Sequence, residues 1–351
     1  MIKGNKKLVF LGLTCIVFVF VLFSTGVAAQ DTIKIGVSFT DLRNERWSRE
    51  DKMMSQLCKE IGVEYMSQSA NSDASVQLSQ SENMISQGID VLIVIPYDAI
   101  SSASIVEIAH QSNIPVIAYD RLIKSTKLDL YVSFDSIRVG EMMTEYVVNK
   151  YPKGNYIILK GDVGDNNAHL VYEGQMNILG KYIKNGDIKI VAEQFCKNWS
   201  GDEALKHTEN ALTAVNNDVV AILTGYDGLA TGAIQALTAQ ELAGKVAVTG
   251  QDAELSACQR VVEGTQTMTI YKPLKTLARK GIESAVALAK KEKPTDINGS
   301  IKVNDVDINA VLLDPIVVTA DNIVDIIVVK DGFQSLEDIY KNIPKEKWPT
   351  K

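Results

Sequence analysis

The feature that most constrains the fold of this chain is a regular alternation of short β-branched runs and longer amphipathic stretches, which begins near Thr32. The short runs predict strands, and the stretches between them predict helices with a period of 3.6 residues. One run, Val91–Pro96, is apolar almost throughout, which is typical of a parallel strand buried on both faces. Strand–helix–strand repetition of this kind predicts a parallel sheet with helices on both sides.

The alternation pauses after Phe134 and then restarts, and a helix predicted over Ile137–Lys150 leads into the second half. At 351 residues the chain also exceeds the usual size of a single domain. The predicted strands are, in chain order, Ile33–Phe39, Val63–Gln68, Val91–Pro96, Pro115–Tyr119, Leu130–Phe134, Tyr156–Lys160, Ile188–Gln194, Val219–Leu223, Val246–Thr249 and Met268–Tyr271. The predicted fold class is therefore α/β, with two doubly wound, Rossmann-like parallel sheets.

The first thirty residues have the pattern of an export segment. Three lysines among the first seven residues precede an apolar run, Leu8–Phe23, and small residues then lead to a plausible cleavage site before Gln30. Counted on to Ala29, however, the run approaches the length of about 20 residues that a membrane-spanning helix needs. Residues 1–30 are predicted to be either a signal peptide or an uncleaved membrane anchor. In both cases the body is exported, and it is periplasmic or held at the cell surface.

Charge and motif content exclude several classes of function. The net charge is −7 and no Lys/Arg-rich block is present, so no nucleic-acid partner is predicted. Cys58, Cys196 and Cys258 have neither disulfide-framework nor metal-site spacing. No Gly-x-Gly-x-x-Gly, P-loop or Gly-x-Ser-x-Gly motif follows a predicted strand, so no cofactor and no enzymatic activity are predicted. Spacing alone does not exclude paired carboxylates, which leaves a secreted glycoside-active enzyme as a remote alternative.

Polar side chains follow the predicted strands at their carboxyl ends, where open parallel sheets bind ligands. These groups are Asp41, Asp120-Arg121, Asp165-Asn166-Asn167, Asp227 and Gln251-Asp252. Any one aspartate fits equally well as a helix cap, but five such strand ends together with Trp47 and Trp199 exceed what capping alone explains. Carboxylates, amides and guanidinium groups pair with sugar hydroxyls, and an aromatic ring packs on the C–H face of a sugar. The pattern therefore predicts a binding site for a free sugar.

In these segments the chain resembles the D-xylose-binding proteins of bacterial ABC transporters, in the type I periplasmic-binding-protein superfamily. The matching segments are Asp41–Trp47, Gln68–Asn71, Ile95–Tyr97, Ala118–Arg121, Val132–Asp135, Asp165–Ala168, Gly232–Leu237, Gly250–Ala253 and Gly264–Thr269. The resemblance extends from about Ile33 to about Lys291 and is weaker beyond. It implies two lobes that close on a ligand about a hinge.

The resemblance also implies where the lobes divide. An N-terminal lobe of residues 31–136 and 272–312 and a C-terminal lobe of residues 137–271 and 313–351 are expected. The chain would then cross between them three times, near Ser136, Tyr271 and Leu313. A sugar that contacts both lobes would favour the closed form.

The ligand shell implied by the resemblance draws on both lobes. Its hydrogen-bonding residues are Arg46, Asp120, Arg121, Asn167, Asp252 and Lys272, and its ring-sandwiching residues are Trp47 and Trp199. One segment departs from the family pattern, since Gly225-Tyr226-Asp227 stands where xylose binders usually carry Ser-Asn-Asp. Tyr226 can donate through its hydroxyl but lacks the paired geometry of an amide. Tyr226 and Asp227 belong to the predicted site, where either the contact with the sugar is remade or the sugar specificity has shifted.

The predicted ligand is D-xylose or a related pentose, and two partners for the closed form remain open. One is a membrane sensor histidine kinase, which an uncleaved N-terminal anchor would favour. The other is the permease of an ABC importer, to which a solute receptor would deliver the sugar.

Overall fold

The chain after residue 32 begins with the predicted alternation, in a computed structural model that describes residues 1, 2, 4 and 32–349. The first elements are β1 (Lys34–Phe39), α1 (Glu45–Ile61), β2 (Glu64–Ser69), α2 (Ala74–Ser86), β3 (Val91–Val94), α3 (Ala103–Gln111), β4 (Val116–Tyr119) and β5 (Leu130–Phe134). Side chains cap the first two helices. Asn44 Oδ1 accepts from the backbone N–H of Arg46, and the Asp73 carboxylate accepts from the amides of Ser75 and Val76. These bonds satisfy amides that the first turn of a helix leaves free.

The second series of elements follows the predicted restart. It consists of α4 (Ser136–Lys150), β6 (Gly154–Lys160), α5 (Asn166–Lys184), β7 (Ile188–Phe195), a 3₁₀ turn (Lys197–Trp199), α6 (Gly201–Ala214), β8 (Ala221–Thr224), α7 (Asp227–Ala239), β9 (Ala247–Val248), α8 (Leu255–Glu263) and β10 (Thr269–Tyr271). Helices α4 and α5 pack backbone against backbone. A Cβ atom on Gly140 would lie 2.0 Å from the carbonyl oxygen of Val171, and one on Gly174 would lie 2.0 Å from that of Ile137. Both positions therefore require glycine.

The last part of the chain adds strands to both lobes. It contains α9 (Leu274–Ala289), β11 (Gly299–Val303), β12 (Val306–Leu313), β13 (Ile316–Val318), a π-helical segment (Val324–Lys330), α10 (Leu336–Ile339) and a 3₁₀ turn (Lys345–Lys347). Strands β11 and β12 form an antiparallel hairpin that was not predicted. Most residues of β11 and the first half of β12 are at least partly exposed, so this stretch lacks the apolar runs that marked the other strands.

The strands form two large sheets and one two-stranded antiparallel sheet. The first has seven strands in the order β11-β12-β5-β4-β3-β1-β2, and the second has four parallel strands in the order β7-β6-β8-β9. Strands β10 and β13 pair with each other, and a bridge between Gln251 and Ile270 joins β10 to the segment that follows β9. The chain thus passes between the two sheets after Phe134, after Tyr271 and after Leu313. The predicted α/β class with two parallel-sheet lobes and three crossings is confirmed.

We call the seven-stranded sheet with α1–α3 and α9 the first lobe, and the remaining strands with α4–α8 the second lobe. The exact lobe boundaries given above stay a prediction. Within the first lobe, β3 is buried on both faces, as its apolar run predicted. Val91 and Ile93 pack in the core under α1 and α9, whereas Leu92 and Val94 pack in the core under α2 and α3.

The sequence predicts a helix over Ile100–Gln111, but α3 begins only at Ala103. The Asp98 carboxylate accepts hydrogen bonds from the backbone N–H groups of Ile100 (3.1 Å) and Ser101 (2.7 Å) and so holds a turn there. The three cysteines at positions 58, 196 and 258 are buried and unpaired, in agreement with the absence of a disulfide framework.

The predicted signal peptide or membrane anchor, residues 1–30, lies outside the described residues apart from residues 1, 2 and 4. Within the part of the chain that is described, no helix combines the length and the apolar character needed to cross a bilayer.

Candidate functional site

A cavity lies where the carboxyl ends of the strands of both lobes meet. Its lining residues are Asn44, Arg46, Trp47, Asp120, Arg121, Asp165, Asn167, Trp199, Tyr226, Gln251, Asp252 and Lys272. Most of them stand in the first residues after a strand or in the first turn of the following helix. This is the edge at which parallel α/β sheets place ligand-binding groups, because backbone turns there leave side chains free to converge.

The structure brings nine of the ten predicted site residues into this wall and places Asp227 elsewhere. The Asp227 carboxylate is completely buried and accepts hydrogen bonds from Gln266 Nε2 (2.8 Å), Thr269 Oγ1 (3.0 Å) and the backbone N–H of Glu254 (3.1 Å). Its position right after a strand was the same as that of the true wall residues, so the sequence could not distinguish the two. Asp227 is an internal acceptor that ties together the loops behind the cavity.

Three wall residues were absent from the predicted set. Asp165 and Gln251 had been noted as polar strand-end groups, and Asn44 lies in the segment Asp41–Trp47. Each lies within three residues of a predicted contact, and this closeness was the only indication in the sequence that it belongs to the site. That signal does not tell which of two neighbouring polar side chains turns inward.

Arg46 is the most heavily paired group of the wall. It is 4% exposed and donates from Nε to Glu50 (2.9 Å), from Nη1 to Asp252 (3.2 Å) and from Nη2 to Asp120. Burial disfavours its charge, but the three carboxylates outweigh burial and raise the pKa of Arg46 above its usual value. For Asp120, burial is likewise outweighed by Arg46 and Lys272, and the pKa of this carboxyl is lowered. Both groups therefore remain charged when the cavity is closed.

A second ion pair, between Arg121 and Asp165, helps to position the indole of Trp199. Arg121 Nε lies 2.8 Å from Asp165 Oδ2 as an ion pair, and the same oxygen accepts a hydrogen bond from Trp199 Nε1 (3.1 Å). Burial raises the pKa of Asp165, and Arg121 opposes that rise. The guanidinium of Arg121 also lies 5.6 Å from the ring centroid of Trp47, and that of Arg46 lies 4.4 Å from it. These cation–π contacts fix the ring of Trp47 between two cations.

The indole of Trp199 lies directly on the backbone of Gly161. A Cβ atom at Gly161 would come within 2.2 Å of the ring, so any larger residue would displace it. Asn198 and Trp199 both adopt a left-handed backbone conformation with φ of 54°. Such a conformation is uncommon for residues other than glycine and persists only where the surroundings enforce it. The loop therefore holds Trp199 in a fixed orientation at the cavity.

Two buried acceptors in the wall have no hydrogen-bond partner among residues 32–349. They are Asn167 Oδ1 and Gln251 Oε1, although Asn167 Nδ2 donates to the backbone oxygen of Asp120 at 3.0 Å. A buried acceptor without a partner costs roughly 1–3 kcal/mol. Hydroxyl groups of a bound molecule would satisfy both. The wall thus offers unpaired acceptors next to fixed charges and aromatic surface.

Glu50 lies behind the wall and predicts a pH effect on stability. Burial raises its pKa to about 7, because the loss of water and the nearby Asp120 charge together outweigh the opposing effect of Arg46. The folded state then binds a proton more tightly than the unfolded state does. Stability contributed by this proton is present at low pH and is lost as pH rises from about 4.5 to about 7.

We expect Glu50→Gln to remove this dependence. Between pH 5 and pH 8 the free energy of unfolding of the wild type should fall relative to that of Glu50→Gln, by an amount on the order of 3 kcal/mol. Urea denaturation at the two pH values measures it. The exposed Glu60→Gln on the same helix is the matched control and should follow the wild type. Parallel pH curves for wild type and Glu50→Gln would contradict the assignment.

Comparison with known proteins identifies the family. Residues 35–293 match the periplasmic binding protein domain. The chain belongs to the periplasmic binding protein family. Among family members, it is 45% identical over 321 residues to the "D-xylose-binding periplasmic protein" of Haemophilus influenzae, with 91% of this chain and 95% of that protein covered. The protein of the same name from Escherichia coli is 43% identical, with 91% and 96% covered.

Solved structures of the family agree with the fold. An ABC transporter solute-binding protein from Clostridium phytofermentans with bound β-D-glucose has a TM-score of 0.80 at 28% identity, covering 87% of this chain and 99% of that one. A myo-inositol-binding protein from Caulobacter, with myo-inositol bound, has a TM-score of 0.74 at 26% identity, covering 84% and 95%. The family and the type I fold predicted from the strand-end motifs are confirmed.

Proposed function

We propose that this protein is an exported binding protein whose cleft closes on one free monosaccharide, D-xylose, without chemical turnover. The observation that carries the proposal is the cavity wall, where Asn167 Oδ1 and Gln251 Oε1 are unpaired between charged groups and two tryptophans. The family relatives with 43–45% identity support it, since both are named for D-xylose and for the periplasm.

The chemistry of the wall suits a sugar ring better than an ion or an apolar molecule. Fixed carboxylates accept from hydroxyl groups, guanidinium and ammonium groups donate to them, and an indole covers the weakly apolar C–H face. In a closed cavity, an epimer with one misplaced hydroxyl leaves a buried group unpaired, which gives strong discrimination. Among the described residues no cluster of three or more candidate metal ligands is present.

Closure is supported by polar contacts that span the lobes. Arg46 of the first lobe pairs with Asp252 of the second, and Arg121 of the first pairs with Asp165 of the second. Asn167 Nδ2 of the second lobe donates to the backbone of the first. A sugar that adds further bonds to both lobes binds the closed form more tightly and shifts the population toward it.

For the partner that recognises the closed form, the comparisons support the permease of an ABC importer, because the Clostridium phytofermentans protein is described as an ABC transporter solute-binding protein. A membrane histidine kinase stays a prediction that rests on residues 1–30. N-terminal sequencing of the native protein tests it. A free periplasmic chain that begins near Gln30 would contradict an anchored sensor.

Calorimetry with D-xylose, D-ribose, L-arabinose and D-glucose tests the ligand. We expect D-xylose to saturate one site at micromolar concentration and the other sugars to bind more weakly. Absence of xylose binding at that concentration would refute the ligand assignment, and tight binding of another sugar in the panel would replace it. Incubation with an aryl xyloside should release no product, and steady release would favour the enzymatic alternative.

A further inference from the structure

The hydroxyl of Tyr226 occupies a directed chain of hydrogen bonds that joins the two lobes. Asn44 Oδ1 caps α1 by accepting from the backbone N–H of Arg46 (2.9 Å), which fixes the orientation of the Asn44 amide. Asn44 Nδ2 must then donate to Tyr226 Oη, and this distance is 2.9 Å. The phenol accepts from Asn44, so its own hydrogen is directed to Glu254 Oε1. The chain runs from the first lobe to the second without a break.

This arrangement leaves Tyr226 no hydrogen to donate to a ligand. The predicted donation from its hydroxyl to the sugar is therefore not available in this geometry, although its side chain lines the cavity. Its ring stands edge-on to Trp199, with centroids 6.1 Å apart and planes at 89°. The ring also covers Gly228, where a Cβ atom would lie 2.3 Å from Tyr226 Cε1. Packing on both sides holds the phenol in line with Asn44 and Glu254.

We propose that Asn44, Tyr226 and Glu254 form a clasp that stabilises the closed form directly, and that Tyr226 presents only ring surface to the ligand. The statement about how Tyr226 meets the ligand rests on the proposed sugar-binding function, whereas the clasp itself does not. Where xylose binders of the resembling family offer an amide, this chain offers C–H groups. The preferred sugar then directs a C–H group toward Tyr226, and removal of a hydroxyl on that side costs no affinity.

Closure without sugar tests the clasp. Dyes on cysteines introduced at the exposed positions Glu60 and Glu209, one in each lobe, report the interlobe distance by energy transfer in a Cys15→Ser background. The three remaining cysteines are buried and should not compete for label. At pH 8, above the pKa of about 7 to which burial raises Glu254, this carboxylate is an acceptor. We expect Tyr226→Phe to lower the closed-to-open ratio of the sugar-free protein by about tenfold.

A double-mutant cycle separates the clasp from two independent contacts. Asn44→Ala should lower the same ratio, and the double variant should fall no further than either single variant, because all three break one chain. Tyr182→Phe, in the core of the second lobe, is the matched control and should leave the ratio unchanged. Additive effects of Asn44→Ala and Tyr226→Phe, or no effect of Tyr226→Phe, would overturn the clasp.

Calorimetry with D-xylose and its 2-, 3- and 4-deoxy analogues tests whether Tyr226 bonds directly to the sugar. If Tyr226 makes no bond to the sugar, Tyr226→Phe weakens all four ligands by the same factor. A loss of affinity for xylose that one deoxy analogue does not share would show a direct bond and overturn the proposal. Because closure is measured without sugar, a failed clasp and a failed sugar assignment give different results.

Discussion

Replacing Arg46 by methionine should remove sugar binding and destabilise the fold in one step. The guanidinium is the shared partner of Glu50, Asp120 and Asp252, and its loss leaves Glu50 without a cation and the two aspartates with Lys272 alone. Breaking a buried ion pair by removing one partner costs about 3–5 kcal/mol. Loss of its charge-assisted bonds in the closed cleft should weaken xylose binding by at least about a hundredfold. Urea denaturation and calorimetry measure the two effects.

The pH dependence of the stability of Arg46→Met tests whether the surrounding carboxylates are ionised. Without Arg46 the buried carboxylates gain stability by taking up protons, so Arg46→Met should recover part of its lost stability as pH falls from 8 to 5. Arg279→Met is the matched control, because Arg279 is exposed on α9 of the same lobe. Wild-type affinity in Arg46→Met would show that the wall does not contact the ligand. Wild-type stability at pH 8 would show that the carboxylates are not ionised together.

Gly174→Ala should be among the most damaging methyl additions in the second lobe. The new Cβ would lie 2.0 Å from the carbonyl oxygen of Ile137, and backbone cannot move aside as a side-chain tip can. Helices α4 and α5 must separate, which we expect to cost about 3 kcal/mol. Since α5 begins at Asn166, its displacement also moves Asn167 in the cavity wall, and xylose affinity should fall severalfold.

Gly180→Ala on the same helix is the matched control. No heavy atom lies within 4 Å of the Cβ position at Gly180. Alanine is a better helix former than glycine by about 0.5–1 kcal/mol, so this variant should be slightly more stable than the wild type, with unchanged affinity. Equal losses of stability at both positions would mean that helix propensity, rather than the α4–α5 contact, governs the response.

The sequence predicted correctly those features that follow from one rule of strand order or of apolar periodicity. A parallel sheet collects the residues that follow its strands at one edge, so Asp120, Arg121 and Asp252 were placed correctly without knowledge of their contacts. The buried run at Val91 likewise determined a central strand. Such features depend on strand order and apolar periodicity, both of which a linear sequence carries.

The rest depended on side-chain direction and long-range contact. Asp227 follows a strand as Asp120 does, yet its neighbours Gln266 and Thr269 draw its carboxylate inward, and both lie about forty positions later in the chain. The role of Tyr226 could be inferred only from the orientation of the Asn44 amide, which the cap of α1 determines. The β11–β12 hairpin was missed because its alternation is half exposed. Pairings between distant residues of this kind leave no periodic trace in the sequence.

The interleaving of the two lobes along the chain has a consequence for synthesis. Strand β12 pairs with β5 in the seven-stranded sheet, and β13 pairs with β10 in the two-stranded sheet of the second lobe, so each lobe needs residues beyond position 305. A ribosome must therefore make most of the chain before either lobe can be completed, and until then β5 is an open strand edge. We expect a nascent chain of this design to fold only late in synthesis. Such a delay would keep an exported chain unfolded while it crosses a membrane.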